Sequence, residues 1–344
     1  MAYTTIDDPS AYFQVDLYTG TGSSLANTFD GNSAMQPDFV WIKERNGAVD
    51  HALYDTSRGV QKQLECNTDT AETTESTGLT AFGSDGFTVG ALAQVNTSSD
   101  TYVAWAWKAN AGTTSTDSNG DINSTVQVNS TAGFSIVQYN PSNTTTRNIG
   151  HGLGVKPDCI IIRNRTRVES WRVWFNVIGQ GAIMLNSTGT YTVNSNLVNS
   201  ATTSTFNVGG DFSVNGNYPY VAYCFNNVQG YSKFGSYTGN GNANGSFVYT
   251  GFKPAFVIIK RTDTTNNWLI YDHKRSGYNP KQDKLYPDDA SAEDASTTSV
   301  DLLSNGFKLR ASSASQNASG GTYVYMAFAE NPFVTSTGIP TTAR

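Results

Sequence analysis

Three stretches decide how this chain folds: Pro37-Asp-Phe-Val-Trp-Ile-Lys43, Pro157-Asp-Cys-Ile-Ile-Ile-Arg163 and Pro254-Ala-Phe-Val-Ile-Ile-Lys260. Each is a proline, a short apolar run and one basic residue. A second apolar segment follows each, Ala52-Leu-Tyr-Asp55, Trp171-Arg-Val-Trp-Phe175 and Trp268-Leu-Ile-Tyr-Asp272. Then comes a Gly-Phe or Thr-Phe step at Phe87, Phe206 and Phe307. The pattern closes on Tyr102-Val-Ala-Trp-Ala-Trp107, Tyr220-Val-Ala-Tyr-Cys-Phe225 and Tyr325-Met-Ala-Phe-Ala-Glu330. Opening segments around Tyr18, Tyr139 and Tyr237 precede the three prolines. From proline to phenylalanine the spacing is 50, 49 and 53 residues, and from proline to the closing tyrosine 65, 63 and 71.

Landmarks in one order at nearly equal spacing mark an internal repeat, which decides architecture before anything else does. The reading is three tandem units, 1–112, 121–228 and 229–334, with a tail over 335–344. Each apolar segment has strand length and is rich in Val, Ile, Tyr, Phe and Trp. Gly, Asn, Ser, Thr and Asp clusters between them supply turns. The longest helical candidate, Ser57 to Leu64, offers two turns at most. The expected fold is therefore all-β, three antiparallel β-sandwich or jelly-roll units. Each unit is large enough for its own core, so discrete domains are expected. Cys159 matches Phe39 and Phe256, and Cys224 matches Ala106 and Ala329, so both cysteines read as buried core fillers. The polar run Asn110 to Gly120 reads as an exposed linker, and the second junction, Asn226 to Phe234, is short.

The 344 residues carry 22 basic and 28 acidic side chains, a net charge of −6, and only 15% are charged. With 12% aromatic residues, a disordered chain is excluded. No Lys/Arg block exists to release counterions from nucleic acid, and no apolar run reaches the ~18 residues of a membrane span. The start, Met1-Ala-Tyr-Thr-Thr-Ile-Asp-Asp-Pro-Ser10, predicts no secretory leader. Three cysteines, Cys66, Cys159 and Cys224, predict free thiols rather than a disulfide scaffold.

Candidate chemistry is sparse. His51, His151 and His273 fall at unlike places in the three units. Asp55 and Asp272 recur after the second segment, with Phe175-Asn176 in the middle unit, and read as turn formers rather than the paired acids of a glycosidase. Asp117-Ser-Asn119-Gly-Asp121 alternates oxygen ligands as calcium loops do, but Ile122 stands where such a loop needs glycine. The expectation is thus no catalytic residue and no cofactor, with Asp117, Asn119 and Asp121 as the candidates should calcium bind. Trp107 ends a strand before Lys108 and is the expected exposed aromatic, with Tyr18 and Tyr237 as further carbohydrate contacts.

Several segments carry a resemblance: Met1-Ala-Tyr-Thr-Thr-Ile6, Tyr18-Thr-Gly-Thr-Gly22, Pro37 to Lys43, Tyr102 to Ala109, Val228-Gln-Gly-Tyr-Ser-Lys-Phe-Gly-Ser-Tyr237 and Tyr325 to Phe333. Over nearly the whole chain they resemble virion structural proteins of tailed bacteriophages of aquatic bacteria, some described as concanavalin-like lectins. The resemblance implies a protein made in the host cytoplasm and carried on the virion surface. Its expected partners are other capsid or tail proteins, further copies of itself, a trimer among them, and host glycans, with no nucleic acid and no membrane insertion. The implied role is a non-enzymatic tail fibre or appendage; a capsid decoration protein and a polysaccharide depolymerase are the alternatives.

Overall fold

The computed structural model describes residues 2–143, 145–297 and 299–341, and they are built almost wholly of antiparallel strands. Three inner sheets share one order of four strands, which in the second lie within a seven-stranded sheet. The first runs Phe13–Thr19, Thr101–Trp107, Phe39–Glu44, Ala52–Asp55. The second runs Phe134–Tyr139, Tyr220–Phe225, Cys159–Asn164, Arg172–Phe175. The third runs Ser232–Thr238, Thr322–Pro332, Phe252–Arg261, Leu269–Asp272. Each packs on a three-stranded outer sheet centred on Gly86–Val89, Thr205–Val208 or Gly306–Leu309. One inner sheet and its outer sheet form a lobe.

The inner strands are apolar on both faces because both faces are buried. On Phe39–Glu44, Val40 and Ile42 join Tyr54, Ala104, Phe87 and Val89 in the private core of the first lobe. The alternate residues, Phe39 and Trp41, point the other way, into a cluster that also holds Phe13, Trp105 and Trp107 with Phe134, Phe225, Phe256 and Phe328. The side-chain period of two sends alternate residues of one strand to different cores. The lobes are therefore not discrete: besides a private core in each, the three inner sheets close on one common core.

The registers correct one alignment. Tyr102 pairs with Tyr18, Tyr220 with Tyr139, and Tyr323, not Tyr325, with Tyr237. Ala327, not Ala329, therefore matches Ala106 and Cys224. A slip of two residues leaves every side chain on its own face, so the apolar pattern alone does not detect it. A second correction concerns Asp55 and Asp272: across the ladder Phe39 faces Asp55, Phe256 faces Asp272, and Cys159 faces Phe175 rather than Asn176.

The run Asn110 to Gly120 is not a free linker. The Asp38 carboxylate accepts the N–H groups of Ala109, Ala111 and Gly112 at 2.7–2.9 Å. Ser115–Asp117 then pairs with Ser124–Asn129, which covers the edge of the second inner sheet. The wholly buried Gln127 ties this added strand to Thr56 and Ser57 of the first lobe. Within the tail, Thr335 to Ile339 forms a turn held by Asp7, which accepts the Ser336 N–H at 2.6 Å; residues 342–344 lie outside the described residues. Ser57 to Leu64 is not helical, and the one α-helical turn among the described residues is Ala93–Asn96.

Candidate functional site

The seams between lobes hold much of the buried charge, and their contacts run one way round a ring. Trp171 of the second lobe donates its Nε1–H to Glu65 O of the first at 2.7 Å. Trp268 of the third donates to Met184 O of the second at 2.9 Å. His51 of the first reaches Tyr286 O of the third at 2.9 Å. The His51 Nδ1 accepts from Trp41 Nε1, so its proton sits on Nε2 and the ring is neutral; burial, then nearby Lys43, pushes its pKa down to about 3. His51 is a seam residue rather than a general base. His151 is likewise occupied, with Nδ1 accepting from Leu153 N.

Backbone bonds repeat the ring: Glu72 N–H to Arg165 O, Tyr191 N–H to Thr262 O and Glu293 N–H to Arg45 O. These contacts equate Glu72, Tyr191 and Glu293. In the first lobe Arg58 pairs with Asp55 and, at 3.1 Å, with Glu72, which also holds Arg165 of the second lobe at 2.7 Å. Tyr223 of the second lobe donates to Asp55 at 2.7 Å. In the third lobe Arg275 pairs with Asp272 at 2.5 Å and with Glu293 at 3.1 Å, Glu293 holds Arg45 of the first at 2.9 Å, and Trp105 donates to Asp272 at 3.1 Å. Burial alone would raise the Asp272 and Glu72 carboxyls, but the arginines beside them outweigh it and hold both below the usual range. In the second lobe the matching positions are Phe175, Ile178 and Tyr191, and Met326 stands where Tyr223 and Trp105 stand. A whole ion network is exchanged there for apolar packing, as expected when a half-replaced network would leave a buried charge unpaired.

The basic residues that close the three Pro-led runs are also wholly buried. Lys43 donates to Glu44 O and Gly47 O, Arg163 to Thr70 O, and Lys260 to Thr188 O and Asn266 O. Burial pushes Lys43 and Lys260 down to about 8 and Arg163 down to about 10. They hold loops of the neighbouring lobe or their own and expose nothing to solvent.

One seam carboxylate is unbalanced. Trp171 N–H and His51 N–H are received by the amide oxygens of Asn186 and Asn67, whereas Trp268 N–H goes to Asp288. The second oxygen of Asp288 is buried with no hydrogen bond among the described residues, and burial raises its pKa to about 7. A carboxyl raised in the folded state contributes most stability below its unfolded pKa of 3.8 and loses it as pH rises towards 7. Asp288→Asn is expected to stabilise the protein by about 1–3 kcal/mol at pH 8 and to flatten the decline between pH 4 and 7. Urea unfolding across that range reads both effects.

The carbohydrate-contact candidates are corrected. Trp107 is not exposed: 2% of it reaches solvent, and its ring lies 5.0–6.5 Å from those of Phe13, Phe39, Phe225, Phe256 and Phe328. The lysine after it suggested a surface strand end, but the shared core continues past it. Tyr18 stacks on Tyr102 and Tyr237 on Tyr323, each at 5.0 Å, and their hydroxyls donate to Val95 O and Gln316 O at 2.7 Å. Tyr139 does the same with Tyr220 and Val214 O. This tyrosine pair is therefore a packing device common to the three lobes, in which one face of each ring is taken by its partner. Asp117 receives the N–H and side-chain amide of Asn119 at 2.8 Å, and Asp121 receives Asn148 N–H at 2.7 Å. The calcium candidates thus serve a local turn, and no group of three His, Cys, Asp or Glu residues that could hold a metal occurs among the described residues. The three thiols are buried and unpaired.

The open clefts lie elsewhere. One of about 290 Å³ at the seam of the first and third lobes is lined by Gln14, Asp30, His273, Lys274 and Glu330 among others, and Lys274 pairs there with Asp30. Another, of about 320 Å³, lies between Tyr3, Gln229, Lys233 and Tyr249. Sequence reasoning missed both, because each is assembled from segments far apart in the chain.

The family described as Domain of unknown function (DUF7483) matches residues 8–332. The chain belongs to the DUF7483 family. Its match runs through all three lobes and ends within the last inner strand, so the ring of seams lies inside one DUF7483 unit. No curated protein matches this DUF7483 chain.

Proposed function

We propose that this chain is a non-enzymatic structural protein of a tailed-phage particle, carried on the virion surface as a fibre or appendage module and contacting host glycans. The observation that carries it is where the ionisable groups go. Asp55, Arg58, Asp272 and Arg275 have no exposed side-chain surface and are spent on joining lobes. The resemblance stated above supports the virion location. Neutral, hydroxyl- and amide-rich loops outside a stiff β body suit repeated contact with sugars, and three lobes in one chain allow weak contacts to add. Nor does the depolymerase reading gain from Asp55 and Asp272, since no substrate reaches them.

A second reading, capsid decoration, is favoured by the threefold arrangement of the lobes, which matches a threefold position on a shell. Mass spectrometry and immunogold labelling of purified particles test both. The protein is expected in virions at a few to a few dozen copies for an appendage, or at hundreds for decoration. Absence from purified particles overturns the assignment.

A further inference from the structure

The third lobe carries an exposed aromatic edge that the others lack. Its outer edge strand, Phe247–Tyr249, alternates exposed, buried, exposed, and Tyr249 is 55% exposed. Val248 faces Phe307 as Asn27 faces Phe87 and Ile149 faces Phe206. Tyr249 thus stands where the other lobes have Thr28 and Gly150. On the first inner strand Lys233 stands where they have Gln14 and Ser135. Gln14 is spent on Ser10, Gly31 and Ser33, and Ser135 is buried. Lys233 forms no ion pair among the described residues.

Tyr249 and Lys233 face one cleft of about 320 Å³, with Tyr3, Asn227, Gln229 and Thr250. Tyr3 is fixed by donating to Gly251 O at 2.8 Å, and its hydroxyl lies 3.2 Å from that of Tyr249. The oxygen of the Asn227 side chain receives Phe234 N–H at 2.7 Å, which orients its amide donor. The cleft therefore combines a tyrosine wall, amide donors and a single cation, with no carboxylate in its lining.

A pyranose ring has an apolar C–H face for an aromatic wall and hydroxyls for amides; a uronic acid adds a carboxylate for an ammonium group. We propose that this cleft binds an acidic sugar, a hexuronate unit of a polysaccharide, with its ring face on Tyr249, its carboxylate on Lys233 Nζ and its hydroxyls on Asn227 and Gln229. The proposal rests on the glycan-contact half of the function above.

Calorimetry of the full chain with tri-galacturonate and with maltotriose tests it. Tri-galacturonate is expected to bind at least about ten times more tightly than maltotriose. Tyr249→Ala should weaken it roughly tenfold, and Lys233→Met should abolish the preference for the acidic oligomer. Both side chains lie at the surface, so thermal unfolding should be unchanged in each variant. No binding of tri-galacturonate, equal binding of the two oligomers, or wild-type affinity in both variants overturns the proposal. Particle composition separates the two claims: a virion protein that binds neither oligomer loses only the cleft, and a uronate binder absent from virions loses only the location.

Discussion

Arg58→Ala is expected to destabilise the protein by about 3–5 kcal/mol, the usual cost of leaving one partner of a buried ion pair behind. Arg58 answers Asp55 and Glu72 and also donates to Leu53 O and Lys62 O at 3.0 Å. Its removal leaves the Asp55 carboxylate, which has no exposed surface, without a cation, and leaves Glu72 to Arg165 alone. The second lobe shows how the same site is filled without charge. Asp55→Phe, Arg58→Ile and Glu72→Tyr together, with Tyr223→Met, install the residues found at 175, 178, 191 and 326. This combined variant is expected to lie within about 2 kcal/mol of wild type or above it, because exchanging a whole buried network for apolar groups is often neutral or stabilising. Glu72 also holds Arg165, whose partner in the third lobe position is Thr262, so adding Arg165→Thr completes the exchange. Denaturant unfolding of the single and combined variants measures the contrast. A combined variant as unstable as Arg58→Ala would show that the networks are not interchangeable modules.

Trp107→Ala is expected to cost about 3–5 kcal/mol, the range for emptying a large aromatic site in a core. The ring touches aromatic rings from all three lobes, so the loss should lower one common unfolding transition rather than split off the first lobe. Calorimetry distinguishes the two: a separate early transition would mean that the lobes unfold independently. Trp107→Phe should cost much less, below about 1.5 kcal/mol. The same position is Phe225 and Phe328 in the other lobes, and the Trp107 Nε1 is buried with no hydrogen bond among the described residues. Loss of that unpaired donor offsets part of the lost volume.

Much of the all-strand architecture was legible because its signals are local. Pro-led runs, closing tyrosines and Asp-Gly or Asn-Gly turns report strand length and turn chemistry directly. Their face assignment was also right: Cys159 was read into the place of Phe39 and Phe256, and the ladder puts it opposite Phe225 as they stand opposite Trp107 and Phe328. The two-residue slip at Tyr323 escaped because period-two patterning is blind to even shifts. The added strand Ser124–Asn129 escaped because Thr125, Val126 and Val128 are its only strand formers, too few to stand out among polar neighbours.

Residue order along this polypeptide was enough to establish strands and turns and the all-β class they make, since each depends on neighbours within a few positions. Tertiary packing alone decided that Trp107 would be core and Tyr249 surface, that Asp55 and Asp272 would bridge lobes, and that Lys233 would meet Tyr3 across more than two hundred residues. Those outcomes depend on which face meets which across the common core, and an apolar or charged residue carries no record in its own segment of the partner that will cover it.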